Sequence, residues 1–236
     1  MPAPPSALHA AFTPLTRVLP RWLTDRIRRI TIAVITPVLF SHRTGHFRSS
    51  LRKAAMSKSG EPLPWYTYQS IEFLHHRPYA DKVVLEFGGG QSTLWWAKRA
   101  RHVVTFEGDR EWHALLAARV PENVDLHRID ADNGAACVRA VESILQSKPC
   151  QTFDVVVIDG LYRTELVEVA RRVVANTGII ICDNAEGYGF QEAFARSGLM
   201  RVDFVGNAPG VMLPHATSVF FGPGSFAFSP DLPIVP

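Results

Sequence analysis

The chain is poor in cysteine: Cys137, Cys150 and Cys182 are its three, with no CxxC spacing and no even set to pair. That excludes a disulfide-stapled scaffold and fits core or free thiols in a reducing cytoplasm. A membrane-spanning run is lacking as well. The apolar stretch ITIAVITPVLF, Ile30 to Phe40, has eleven residues and contains Pro37; as a helix it would reach about 16 Å, against about 30 Å of hydrocarbon. Arg26, Arg28 and Arg29 precede it, but no A-x-A-like cleavage site follows. Acid is scarce at one end: residues 1–60 hold ten Arg or Lys and only Asp25, a net +9, so the overall +3 leaves −6 on residues 61–236. A basic arm on an acidic body suggests an anionic partner, with peripheral membrane contact through residues 15–58 or docking on the body as the two readings.

What is present is ample apolar material, 47% of 236 residues, enough for one large domain with an appendage. Residues 1–14 carry four prolines and are expected to lack fixed structure; helical pieces follow from Leu15 to about Lys58, broken at Pro20 and Pro37. The segment KSGEPLP, Lys58 to Pro64, marks a boundary between an arm (1–60) and a domain (61–236).

Beyond it, strands and helices alternate, the pattern of a parallel sheet with crossovers. Strands are expected at 82–87, 102–106, 124–129, 153–158, 178–182, 200–205 and 217–221, and the clearest helix at Thr164 to Asn176. GNAPGVMLPHA, between the last two strands, leaves no room for a crossover helix, so these should form an antiparallel hairpin. The fold expected is α/β, a Rossmann-like seven-stranded, mostly parallel sheet with a terminal antiparallel hairpin and a basic helical N-terminal arm.

In VVLEFGGGQSTLWWAKRA the first strand turns into a helix through Gly88, Gly89 and Gly90, with Ser92 and Thr93 able to cap it. Glycines let backbone approach a ligand, and a helix start offers free N–H groups. Glu107 ends the second strand, where a carboxylate can take both hydroxyls of a ribose. Glu86, just before the glycines, would repel a pyrophosphate but suit a cationic ligand with an amino group. A dinucleotide fingerprint would need glycine where Thr93 stands, which counts against an NAD-dependent oxidoreductase.

E-F-G-G-G, an acid after the next strand, D-A-D after the third and the closing hairpin together resemble a class I S-adenosylmethionine-dependent methyltransferase, over residues 61–236. The resemblance implies that Glu86 and Gly88 to Gly90 hold the methionine part, Glu107 the ribose, and Asp130 or Asp132 the adenine edge.

The fourth strand ends at Asp159 and the fifth at Asp183 and Asn184. Adjacent strand tips would gather two carboxylates and an amide oxygen, a donor set suited to Mg²⁺, beside the ligand crevice. The arrangement resembles the metal site of catechol-type and sugar O-methyltransferases, in which a bound metal eases loss of an acceptor hydroxyl's proton. Those catechol enzymes carry a lysine where this chain has Tyr162, followed by Arg163. His215, in the hairpin, is the expected replacement base, with Tyr162, Glu186 and Tyr188 as further candidates. PLPWYTYQSIEFL, the pair Trp95 and Trp96, and the last strands look similar to methyltransferases of glycan and polysaccharide biosynthesis, so Trp65, Tyr66 and Tyr68 are candidates to stack on a sugar or wall the cofactor pocket.

The expectation is therefore a cytoplasmic, Mg²⁺-dependent O-methyltransferase acting on a hydroxyl of a sugar, polysaccharide precursor or glycolipid, with a phenolic or catechol-like small molecule as alternative. A nucleic-acid methyltransferase fits less well, because IDGLYR stands where base-amino enzymes carry N/D-P-P-Y/F. A homo-oligomer is left open.

Overall fold

The computed structural model describes residues 19–148, 152–229 and 231–232; Cys150 and residues 1–14 lie outside them. The chain divides between Thr44 and Gly45. Ahead of the division stands α1 (Arg21–Thr44), which runs through Pro37 without breaking. The proline there forgoes a backbone donor, a loss that one helix tolerates. Gly45, at φ 79°, ends the helix instead; a Cβ there would lie 2.4 Å from the Met56 carbonyl oxygen.

The second unit begins with α2 (His46–Arg52) and α3 (Tyr68–His75), followed by β1 (Val83–Phe87), α4 (Gln91–Ala97), β2 (His102–Glu107), α5 (Arg110–Ala117) and β3 (Val124–Arg128). Then come α6 (Gly134–Gln146), β4 (Phe153–Ile158), α7 (Arg163–Val173), β5 (Val174–Asp183), α8 (Phe190–Phe194), β6 (Met200–Gly206) and β7 (His215–Phe221). The seven strands form one sheet in the order β3-β2-β1-β4-β5-β7-β6. β1 to β5 are parallel, while β7 runs antiparallel to both β5 and β6.

The central strands are apolar on both faces because each face is covered. Leu85, Phe87, Val156, Ile158 and Ile180 join one core with α6, α7 and α8. Val84, Val155, Val157, Ile179 and Ile181 join the other, with Leu74, Trp95 and Trp96. The double tryptophan is therefore core: both rings are buried, 4.6 Å apart edge to face.

Sequence and structure differ at α7. It stops at Val173 and not at Asn176, because β5 reaches back to Val174 to pair with Phe153 through an irregular register. Gly178 permits this close pairing, since a Cβ there would lie 2.7 Å from the Asp154 carbonyl oxygen.

Candidate active site at the carboxyl edge of the sheet

Parallel strands end on one side, and the tips of β1, β2, β4 and β5 there frame two cavities that share Gly88, Glu107, Gly160 and Leu161 in their walls. The smaller, about 100 Å³, is walled by Phe87, Phe106, Ile129 and Leu161, with Glu107 and Asp130 at its border. The larger, about 590 Å³, takes in Gly88 to Ser92, Glu107, Trp112, Asp159, Arg163, Asp183, Tyr188 and His215.

The glycine turn is built for close approach. Gly88 has φ 98°, and a Cβ on it would stand 2.5 Å from the Gly160 nitrogen, so the β1 and β4 turns touch backbone to backbone. Gly89 donates its N–H to Glu107 Oε2 at 2.8 Å, and Asp109 donates to Glu107 Oε1 at 2.7 Å. This fixes the Glu107 carboxylate between the two cavities; burial raises its pKa. Trp112 Nε1 donates to the Gly89 carbonyl at 2.7 Å.

Glu86 does not line either cavity. Strand alternation turns it to the face of Val84, beneath the turn, where Thr93 and Thr105 donate hydroxyls to its Oε2 at 2.5 and 3.1 Å. It is wholly buried, its Oε1 has no hydrogen-bond partner, and burial pushes its pKa up from 4.5 to about 7. Its expected direct hold on the methionine part is thus not provided. Thr93 also belongs to this support, accepting the Gly90 N–H at 2.9 Å, while Ser92 faces the larger cavity. Asp130 borders the smaller cavity, bonded to Arg128 at 2.5 Å; Asp132 is exposed and borders neither.

The strand tips gather as expected, but around a guanidinium. Arg163 Nη2 pairs with Asp159 Oδ1 at 2.9 Å and reaches the Asp159 carbonyl at 3.2 Å. Nη1 donates to the Asp183 carbonyl at 2.5 Å and to Asn184 Oδ1 at 3.3 Å, and Nε donates to the Gly160 carbonyl at 2.9 Å. The Tyr188 ring lies 4.4 Å from its central carbon. Asp159 is pushed well above the usual carboxylate range, first by burial and then by Asp183, with Arg163 pulling the other way. Among the described residues no group of three His, Cys, Asp or Glu is placed to hold a metal ion. Asp159, Asp183 and Asn184 as arranged do not fit Mg²⁺, because a buried cation already bonds all three residues.

Across β5, Asp183 pairs in register with Thr217, whose hydroxyl donates to Asp183 Oδ1 at 2.7 Å. His215 lies two residues earlier on the same strand face, with Nε2 3.4 Å from Asp183 Oδ1. That is close enough for an ion pair, though out of line for a hydrogen bond. Asp183 is the largest influence raising the His215 pKa above 6.5; burial opposes it, and Glu186 and the Trp65 backbone assist.

Tyr162 is not part of this cluster. At φ 55° it turns toward the smaller cavity, where its hydroxyl donates to the Ala131 carbonyl at 3.3 Å. Glu186 accepts the Ala216 N–H at 2.9 Å outside the larger cavity. Of the aromatic trio, Trp65 lines the crevice with 37% exposure, whereas Tyr66 is core. Tyr68, half-buried, packs against that same core. Missing from the sequence-derived site are Asp109 and Trp112, just past Glu107, and Arg163, whose signal was its place beside Tyr162 after the fourth strand.

Residues 85–185 match the family described as a methyltransferase domain. No curated protein matches. Among solved structures, the O-methyltransferase TomG from Streptomyces achromogenes, involved in tomaymycin synthesis and solved with SAM, is similar over 78% of this chain and 88% of its own (18% identity, TM-score 0.51). Precorrin-6y C5,15-methyltransferase from Geobacter metallireducens is similar over 73% and 95% respectively (16% identity, TM-score 0.50). These two likenesses show the fold, and the segment that matches the methyltransferase-domain family lies within it.

Proposed function

We propose that this S-adenosylmethionine-dependent methyltransferase transfers its methyl group to a hydroxyl oxygen, with Asp183 and His215 taking the proton. The observation that carries the reading is the crevice's charge: Glu107, Asp109, Asp159 and Asp183 line it against Arg163, already ion-paired. Such a wall suits a cationic ligand and opposes a pyrophosphate. The cradle at Gly88 and the apolar cavity of Phe87, Phe106 and Ile129 fit the rest of the cofactor. Glu107 would hold the ribose, the turn from Gly88 to Gly90 the methionine part, and Asp130 the adenine edge.

When bound, the cofactor supplies a methyl group on a sulfonium, whose S–C bond breaks with its electron pair left on sulfur. The acceptor oxygen forms the new C–O bond, and its proton passes to the Asp183 and His215 pair, which Thr217 holds in place. The acceptor we favour is a sugar hydroxyl. Trp65 and Tyr188, 37% and 43% exposed on the crevice wall, offer the aromatic faces that a sugar ring stacks on.

The arm adds a second partner. Arg26, Arg28 and Arg29 precede Ile30, Val34 and Val38, all exposed along α1, a composition suited to an anionic membrane surface. No described helix is long and apolar enough to cross a membrane.

The test is calorimetric titration of S-adenosylmethionine into wild type and Asp183→Ala, followed by transfer of labelled methyl to sugars, methylated sugars and catechols. Both proteins should bind cofactor, while Asp183→Ala should lose about 100-fold or more in transfer. Wild type that binds no cofactor would defeat the reading, and transfer to catechols alone would replace the sugar.

A further inference from the structure

We infer that the Arg163 guanidinium stands in for a divalent cation at the tips of β4 and β5, so that methyl transfer by this chain is metal-independent. The inference rests on the methyl-transfer reading of the crevice. Its basis is how fully the cation is surrounded: Arg163 has five N–H donors, and it makes four hydrogen bonds to oxygens of Asp159, Gly160, Asp183 and Asn184 and an ion pair with Asp159 Oδ1. A metal centre here would draw on the side chains of Asp159, Asp183 and Asn184. Arg163 bonds two of those side chains directly and holds the backbone of the third.

The side chain is only 10% exposed, and Tyr188 covers its face. It is also always charged, and its fork matches planar oxygen acceptors in a way lysine cannot. A divalent ion on the same oxygens would sit against a buried positive charge that has no other exit. Backbone geometry points the same way: Tyr162 and Asn184, two residues in left-handed conformation, at φ 55° and 50°, flank the two ends of the clamp. Such positions persist where surrounding structure holds them, and here Arg163 ties Asn184 to the start of α7.

Arg163 is accordingly a positioning residue. Its donors are directed to protein oxygens, so it acts through Asp159 and Asp183, holding the two carboxyl groups side by side at the acceptor end of the crevice. An acceptor hydroxyl here meets a carboxylate and a histidine whose places are fixed by a covalently tethered cation.

The test uses the full chain and Mn²⁺ as probe, followed by calorimetry and by water-proton relaxation. Wild type should show no Mn²⁺ site, and its methyl transfer should change less than twofold in EDTA. Arg163→Ala should gain one Mn²⁺ site, which Arg163→Ala/Asp159→Asn loses, and Arg163→Lys, keeping the charge, should not gain it. Should Arg163→Ala fail to fold, Arg163→Gln takes its place in the metal titration. A wild-type Mn²⁺ site abolished by Asp159→Asn, a transfer activity lost in EDTA and restored by Mg²⁺, or a folded, charge-free Arg163 variant that gains no site would each overturn the inference. Cofactor titration into the same samples separates the two readings: wild type that binds no S-adenosylmethionine defeats methyl transfer, whereas the Mn²⁺ results bear on Arg163 alone.

Discussion

Replacing Glu86 with glutamine should stabilise the protein at neutral and alkaline pH and do little at acid pH. The carboxyl is wholly buried beneath the glycine turn, accepts hydroxyls from Thr93 and Thr105 on one oxygen, and has no partner on the other. Burial raises its pKa from 4.5 to about 7. In the unfolded chain the group ionises near 4.5, so between there and about 7 the native state binds the extra proton and stability falls as pH rises. At about 1.4 kcal/mol per pH unit, the total loss is about 3 kcal/mol, complete above pH 7. Glutamine keeps the shape and the acceptor oxygen but cannot ionise. Urea unfolding at pH 5 and pH 8 should therefore show the Glu86→Gln advantage growing by about 2.5 kcal/mol across that interval. Equal effects at both pH values would refute the reasoning, since a packing or hydrogen-bond change alone carries no such slope. Saturating S-adenosylmethionine, by placing a cation above the turn, should flatten the wild-type slope.

Gly88→Ala meets the Gly160 nitrogen at 2.5 Å with φ 98°, so it should lower thermal stability by about 1–3 kcal/mol and weaken cofactor binding about tenfold or more, read by melting and calorimetry. Transfer should fall at low pH as His215 protonates, with a midpoint above 6.5 because Asp183 favours the charged ring; His215→Asn should abolish that limb of the kcat profile. Removing residues 1–44 should leave S-adenosylmethionine affinity unchanged and abolish sedimentation with vesicles rich in anionic lipid. The same vesicles at high salt should release the full chain, because the attraction is screened.

The parallel strands were legible because burial on both faces gives unbroken apolar runs, such as Val155 to Ile158 and Ile179 to Cys182, ended by polar tips. The hairpin was legible from a connection too short for a helix. What escaped was set by tertiary geometry. Nothing in Val-Ala-Asn-Thr marks the end of α7, because the strand there is specified by Phe153 across the sheet. Pro37 reads as a break, yet α1 absorbs it. The direction of Glu86 is written in the period-two alternation of β1, which sets it on the face opposite Leu85 and Phe87. Tyr162 and Arg163 are adjacent in sequence, and which one enters the carboxylate cluster depends on the left-handed turn at Tyr162, a conformation that no local pattern in YRTEL announces.

The insertion of β7 between β5 and β6 divides the labour of the chain by sequence position. The cavity walls proposed for the cofactor come mostly from residues 87–166, whereas the pair proposed to take the proton joins Asp183 to a strand that begins at His215. A recombination that exchanged only the segment after β5 would keep the glycine turn, Glu107 and Asp183 while replacing His215 and the hairpin around it. Diversification of substrate can thus proceed at one end of the gene while the donor half stays under separate selection.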